Sequence, residues 1–295
     1  MARASASHRD AGTMAPGRRL TATAGRAAAA LVPAGIACAA GGAIIIGLLH
    51  LVPPTATISP MRRTISEYGL TDLAWAFNAG VLALAVGSAA ILTAVALFRL
   101  GTRAGLVAGA LWVFGLLTVV AFPKHNWAVG PSVSGQVHRI GSLIAFIALP
   151  LAVLALTGRR MRRGRPGAAA AGWAFGLALV SLAWFLPIVA AIASAGRGGA
   201  WWLAIPLGLV ERGMAVTEVL ALIALGRWCL RAAGGNRSPA AVSADAPAVT
   251  GDPAQPVTGA RAIAVTGNPA GPVTDATTPA VTGDPAAPVT DPAVP

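Results

Sequence analysis

The chain has 295 residues, of which 56% are hydrophobic and 11% are charged, and its formal net charge is +12. This composition excludes an ordinary soluble domain and a chain that is disordered throughout, and it is typical of a multi-pass membrane protein with polar ends. Most basic residues flank apolar runs, so the charge indicates contact with the lipid bilayer and no nucleic-acid partner.

Six apolar runs lie between Ala27 and Leu230. Each can cross a hydrocarbon core about 30 Å thick, which needs roughly 20 helical residues. Unpaired backbone groups are not tolerated in lipid and the alternating pattern of a β-barrel is absent, so the spans should be α-helices. The predicted fold is an all-α membrane protein, a six-transmembrane-helix bundle with a short interfacial helix between helices 1 and 2. The predicted spans are 29–51, 73–98, 104–122, 138–157, 168–192 and 203–228.

The composition divides the chain into three parts. Residues 1–26 are rich in Ala, Arg, Ser and Gly and are predicted to be a disordered cytoplasmic leader. Residues 27–230 form the transmembrane domain. Residues 231–295 are a Pro/Gly/Thr-rich tail in which the segment AVTGDPAQPVT, first at 248–258, recurs in two variants with a 16-residue period. Repeats of this kind cannot build a core, so the tail is predicted to be disordered.

The basic residues also predict the orientation. They concentrate in the leader, in the loops after the second and fourth spans, and after the sixth span, whereas the opposite loops hold few. The positive-inside rule therefore places both termini in the cytoplasm. The Ala, Arg and Gly bias is typical of a high-GC bacterium, which predicts a bacterial plasma membrane. The basic residues of the opposite loops are Arg62, Arg63, Lys124, Arg139 and Arg197.

Small residues mark the first helix. Gly35, Gly41, Gly42 and Gly47 fall within its apolar run. In a membrane, helices associate through close packing more than through hydrophobicity, and glycine lets two backbones approach. These positions therefore predict a close helix contact.

The loop after the first span, residues 57–72, has its own pattern. Ser59 followed by Pro60 is typical of a helix start and Gly69 of a helix stop, which predicts a short helix over 60–68. The apolar residues of this segment recur at helical spacing on one face. The segment is therefore predicted to be an interfacial helix that lies over the bundle.

Acidic residues are scarce enough to single out a site. Glu67 and Asp72 lie in this loop, and Glu211 and Glu218 lie inside the sixth span beside Arg212. Charges inside a membrane cost about 2.5–3.5 kcal/mol each on insertion scales, so they indicate a pocket or an internal ion pair. Arg212 would find its partner in Glu67 or Asp72. The candidates for the pocket or the ion pair are Glu67, Tyr68, Asp72, His138, Glu211, Arg212 and Glu218.

The histidines leave a metal site open. His50, His125 and His138 are predicted at outer helix ends or in an outer loop, on the same face as Asp72. Three imidazoles and a carboxylate could bind zinc and leave a water for hydrolysis. Their spacing is irregular and no HExxH motif occurs, so zinc is the weaker hypothesis and no other cofactor is indicated.

Several short motifs occur in the order of a known family. Ile58-Ser-Pro and Ser66-Glu-Tyr-Gly follow the first span, His138 and Leu149-Pro150 lie in the fourth, and Gly208-Leu-Val-Glu-Arg lies in the sixth. Together they resemble the bacterial membrane family catalogued as domain of unknown function 998, over roughly residues 35–230. The resemblance implies a six-helix integral membrane protein and no assigned activity. Family members often carry Gln where this chain has Glu211, which argues against a catalytic acid there.

Three functions remain open from the sequence. The leading hypothesis is a non-enzymatic protein that binds or transports a small polar or amphiphilic ligand at an outer-half pocket. The first alternative is a metal-dependent intramembrane hydrolase of lipid or amide bonds. The second is a membrane scaffold that presents its cytoplasmic tail to partners. The sequence contains no indication of the oligomeric state.

Overall fold

The computed structural model describes residues 16–126, 129–161, 164–196 and 199–235. The predicted tail beyond residue 235 and residues 1–15 of the predicted leader lie outside the described residues.

Seven α-helices and three short 3-10 helices make up the described chain. Six segments are long and apolar enough to cross a membrane, with α5 and α6 together forming the fifth. The six-helix transmembrane fold is therefore confirmed. The α-helices are α1 (Pro16–Leu48), α2 (Ala74–Leu97), α3 (Arg103–Ala121), α4 (Val133–Thr157), α5 (Ala168–Ala183), α6 (Leu186–Ala195) and α7 (Leu207–Gly235), and the 3-10 helices are Thr55–Thr57, Ile65–Leu70 and Trp201–Leu203.

Two helices begin earlier than predicted. Helix α1 begins at Pro16, so the part of the predicted disordered leader from 16 to 26 is helical. Proline is favoured at the first helical position because its missing N–H would be unpaired there in any case. Helix α4 begins at Val133 and not at 138, because the Ser132 side chain accepts a hydrogen bond from Gly135 N and caps the helix.

The predicted fifth span, 168–192, is not one continuous helix. Helix α5 ends at Ala183 and α6 begins at Leu186. Pro187 explains the break, because its ring clashes with the carbonyl four residues earlier and it has no N–H for the helical ladder. The apolar run is still long enough to cross a membrane, so hydropathy alone does not reveal the interruption.

The helices pack in chain order and α7 closes the bundle. Each of α1 to α4 packs against the next helix along the chain, and α7 packs against α5, α1 and α4. The outer surface of the bundle is apolar, as a lipid-facing surface should be. Its exposed apolar side chains include Val86, Val107, Phe114, Ile140 and Leu143.

Two of the four predicted glycines, Gly35 and Gly42, lie where the backbones of α1 and α2 come close together. A Cβ atom added at Gly42 would overlap the carbonyl oxygen of Gly80, and one added at Gly35 would lie 2.7 Å from that of Gly87. Positions 41 and 47 are different, because a Cβ there would meet nothing within 4 Å. Only two of the four predicted glycines therefore serve this helix contact.

Candidate functional site

The connection between α1 and α2, residues 51–73, forms a lid over one end of the bundle. Its Met61 carbonyl accepts hydrogen bonds from Gly208 N at 3.0 Å and Leu209 N at 3.3 Å, in the first turn of α7. The lid and α7 are closely packed there, since a Cβ added at Gly208 would overlap the Arg63 carbonyl oxygen. The lid is thus joined to α7 through main-chain groups.

The prediction of an interfacial helix over 60–68 is wrong in the bounds and the type of the helix. Residues 60–63 are turns, and the only regular part of this segment within the described chain is the 3-10 helix Ile65–Leu70. The physical reason is that α7 takes up the backbone groups of the lid. Carbonyls that would have bonded along a lid helix instead accept hydrogen bonds from the backbone and the Arg212 side chain of α7.

Arg212 holds the lid to α7 through its whole guanidinium group. Nη1 donates to the carbonyl oxygens of Pro60 at 2.9 Å and Arg63 at 2.8 Å, and to Gly208 O within α7 at 2.9 Å. Nη2 donates to the Tyr68 hydroxyl at 3.0 Å. A guanidinium presents five N–H donors in a fixed fork, which suits several carbonyls at once.

His50 completes this cluster from the end of α1. Arg212 Nε donates to His50 Nε2 at 2.8 Å. Nε2 is therefore an acceptor, which places the imidazole proton on Nδ1, where it donates to Ile46 O at 3.1 Å. The Tyr68 ring is fully buried and meets the His50 ring edge-on, with 5.3 Å between centroids. We call Arg212, His50 and Tyr68 together the arginine clip.

The expected ion pair of Arg212 with Glu67 or Asp72 does not form. Glu67 instead contacts Lys124 Nζ at 3.1 Å and Arg63 Nε at 2.9 Å. Asp72 is exposed. The Arg212 donors are already directed at uncharged acceptors, so a carboxylate is not needed to satisfy them.

Glu211 and Lys124 add two further contacts to the lid. The Glu211 Oε2 atom accepts a hydrogen bond from Ile65 N at 2.5 Å, at the start of the second 3-10 helix. Lys124 also donates to the Thr64 hydroxyl. Both charged side chains therefore order the same short stretch of lid, from residue 64 to residue 67.

The four residues of the metal hypothesis are not brought together. His125 Nδ1 accepts from Ser132 N at 2.8 Å, and His138 Nδ1 bonds to Phe122 O at 2.8 Å, while His50 belongs to the arginine clip. Within the described ranges, no three His, Cys, Asp or Glu side chains are grouped as a metal site requires. The predicted set of His50, His125, His138 and Asp72 is therefore not a metal centre in this geometry.

A cavity of about 410 Å³ lies below the lid, enclosed by α1, α2, α3, α4 and α7. Its walls are mostly apolar, and the arginine clip and Glu211 lie at its lid end. Of the residues predicted for the pocket or the ion pair, the cavity brings together Glu211, Arg212 and Glu218, while Glu67, Tyr68, Asp72 and His138 lie outside its lining. Of the predicted metal set, His50 alone lines the cavity. The aromatic residues that line it are Phe77, Trp112 and Phe146.

We place the opening of the cavity between α1 and α7, where the exposed residues of its lining lie. Among its lining residues only Gly47 on α1 and Val216 and Leu220 on α7 are exposed. Above this opening the arginine clip joins the two helices. Below it Gly226 of α7 packs against Ile36 of α1. The opening therefore faces the lipid side of the bundle between two fixed contacts.

Glu218 is the most deeply buried charged residue of the cavity wall, with 1% of its surface exposed. One carboxyl oxygen, Oε1, accepts from the Ser181 hydroxyl of α5 at 3.2 Å. The other oxygen, Oε2, is buried and has no hydrogen-bond partner among the described residues. Buried polar atoms are normally paired, so this oxygen points to a missing partner.

Sequence reasoning missed the walls of the cavity. Phe77, Trp112 and Phe146 come from three helices and look like ordinary apolar residues in the sequence. It also missed His50 as the partner of Arg212. The one available signal for the lid contact was Gly208, a small residue four positions before Arg212 on the same helix face.

Comparison with known proteins identifies a family for most of the transmembrane domain. The model of the family described as Protein of unknown function (DUF998) matches residues 36–228, which include the second half of the first span, the whole of the second to fifth spans and most of the sixth. No curated protein and no solved structure matched the chain. Since the match covers well over half of the sequence, the chain belongs to the DUF998 family of multi-pass membrane proteins.

Proposed function

We propose that the transmembrane domain binds an amphiphilic ligand in the cavity below the lid. The observation that carries this proposal is the cavity itself, whose volume of about 410 Å³ and apolar walls suit a small-molecule site. Amphiphilic ligands need an apolar surface with a few polar groups. Here the polar groups are those of α7, namely Glu211, Arg212 and Glu218.

The ligand enters from the bilayer between α1 and α7. Gly47, Val216 and Leu220 line the cavity and are exposed, so a hydrocarbon chain can pass between them without crossing the lid. A molecule dissolved in lipid meets this opening directly. A strictly polar ligand would have to cross hydrocarbon to reach it. Of the two ligand classes that the sequence left open, polar and amphiphilic, this entry route favours the amphiphilic one.

The arginine clip closes the lid end of the site. Every nitrogen of Arg212 already donates to a protein acceptor. The clip therefore acts as a fixed roof over the cavity, whose walls offer most of the surface for binding.

Phenylalanine in place of Gly47 is expected to block entry and leave the fold intact. A Cβ at Gly47 meets nothing within 4 Å, so the phenylalanine side chain starts in open space at the exposed edge of the cavity lining. The measurement is photolabelling in lipid nanodiscs with a diazirine-bearing fatty alcohol, followed by peptide mapping. We expect labelling of the cavity-lining peptides to fall several-fold in Gly47→Phe.

The matched control is Gly41→Phe on the same helix. A Cβ there is equally free, and Gly41 does not line the cavity. We expect this variant to label like the wild type. Equal labelling of Gly47→Phe and Gly41→Phe would contradict the entry route, and wild-type protein that is never labelled in the cavity would contradict the proposed function.

We also propose that the lid faces the outside of a bacterial plasma membrane, with both chain termini in the cytoplasm. The basic residues of the α2–α3 and α4–α5 loops support this orientation. Val129 on the lid side and Ala104 at the opposite end are both exposed. In intact cells, a membrane-impermeant maleimide is expected to label Val129→Cys and to spare Ala104→Cys; the reverse pattern would invert the topology.

A further inference from the structure

Glu218 places a carboxyl group in the wall of an apolar cavity without completing its hydrogen bonds. The side chain is 1% exposed, and Ser181 contacts only one of its two oxygens. The free oxygen belongs to a residue that lines the cavity. A ligand in the cavity is therefore in a position to supply the missing hydrogen-bond donor.

Several other polar groups of the cavity wall have hydrogen-bond partners within the protein. Trp112 Nε1 donates to the Ser88 hydroxyl at 2.9 Å. The Ser142 hydroxyl donates to the His138 carbonyl oxygen at 2.9 Å, within its own helix. The Arg212 nitrogens are all engaged in the arginine clip. Among the side chains of the lining in the described part of the chain, Glu218 is the one with a buried oxygen that has no hydrogen-bond partner.

The charges of the cavity wall favour a cation. Two carboxyl groups, Glu211 and Glu218, line the cavity together with a single guanidinium, Arg212. An ionised carboxylate inside a membrane needs a paired positive charge. Arg212 donates to neither carboxyl group in the hydrogen bonds of the clip, so a cationic ligand would be the positive partner of an ionised Glu218.

The aromatic lining favours the same class of ligand. Phe77, Trp112 and Phe146 line the cavity from three different helices. Aromatic faces attract organic cations, and the attraction is strongest where water is excluded. Apolar walls, aromatic rings and one buried carboxylate together describe a site for a cation that carries hydrocarbon groups.

We propose that the cavity binds a lipophilic organic ammonium ion, whose N–H donates to Glu218 Oε2 while its hydrocarbon groups contact the apolar and aromatic walls. This inference rests on the proposed function, because it uses the same cavity and the same entry between α1 and α7. It adds the chemical class of the ligand and the residue that selects it.

Two compounds of nearly equal shape test the charge. Dibenzylamine is protonated at neutral pH, whereas dibenzyl ether is neutral and has an oxygen in place of the nitrogen. Each is used to displace the diazirine-bearing fatty alcohol from the protein in nanodiscs. We expect the wild type to release the photoprobe at an amine concentration about tenfold lower than the ether concentration, after correction for partition into the lipid.

Two variants assign the preference to one carboxylate. Glu218→Gln keeps the size of the side chain and an oxygen that can accept from Ser181, but removes the charge. It is expected to lose the preference for the amine. Asp72→Asn also removes a carboxylate, but from an exposed position outside the cavity, and is expected to keep the preference.

The outcomes separate this inference from the proposed function. If both compounds displace the photoprobe equally from the wild type, the cavity binds amphiphiles but does not select a cation, and the inference is overturned. A preference that survives in Glu218→Gln also overturns it. The comparison of dibenzylamine with dibenzyl ether uses the wild type, so its result does not depend on whether a variant folds. Failure of the photoprobe to label the cavity in the first place counts against the proposed function.

Discussion

Valine at position 42 is expected to prevent α1 from packing against α2 and so to destabilise the domain by about 3 kcal/mol or more. A Cβ at Gly42 would overlap the Gly80 carbonyl oxygen, and would lie 2.9 Å from Leu84 N and 3.2 Å from the Ala83 Cβ. The overlap is with backbone and cannot be relieved by turning a side chain. The two helices would have to separate along their length.

The neighbouring residue offers a matched comparison. Gly41→Val adds the same side chain one position earlier, where a Cβ meets nothing within 4 Å. Thermal unfolding in detergent, together with the amount of protein in the membrane fraction, measures both variants. We expect a clear loss of thermal stability and abundance for Gly42→Val alone; similar values for the two variants would mean that the glycine contact does not limit packing.

Lysine in place of Arg212 is expected to release the lid although the charge is kept. The guanidinium donates to three carbonyl oxygens, to the Tyr68 hydroxyl and to His50 Nε2, and a compact ammonium group cannot reach all of these directions. Hydrogen bonds from charged groups contribute about 1.5–3 kcal/mol each, so losing two or more costs about 3 kcal/mol or more.

Trypsin provides a direct measurement of lid opening. Arg62 and Arg63 lie in the lid, and cleavage there requires the segment to leave its place against α7. We expect Arg212→Lys to be cut at these residues several-fold faster than the wild type. Arg139→Lys, which changes an exposed residue at the start of α4, is the control and should be cut at the wild-type rate. Equal rates in all three proteins would show that the clip is dispensable.

The spans were predictable because bilayer thickness sets one length for every apolar run. A break inside a span was harder to predict from the sequence. Pro187 lies inside an apolar run of full length, and hydropathy does not distinguish a continuous helix from α5 followed by α6. The glycines show the same limit, since Gly41 and Gly42 are adjacent in the sequence and only the helix geometry decides which of them faces α2.

The part of the candidate site that could be predicted consists of charged residues, because charged residues are rare inside a membrane span. Glu211, Arg212 and Glu218 are rare charges in an apolar helix, and all three line the cavity. The partners of Arg212 were not predictable, because main-chain carbonyls occur at every residue and leave no mark in the sequence. Glu67 was an attractive partner by charge, but Lys124 and Arg63 lie closer to it.

The way in which the lid is held has a consequence for divergence among related chains. Arg212 and the first turn of α7 bind the carbonyl oxygens of Pro60, Met61 and Arg63, and every amino acid offers the same oxygen. The side chains at these three positions can therefore be substituted while the lid stays bound to α7, provided that the backbone path and Arg212 are kept. Lids that differ at these three positions could be exchanged between such proteins, and each would still close over the same bundle.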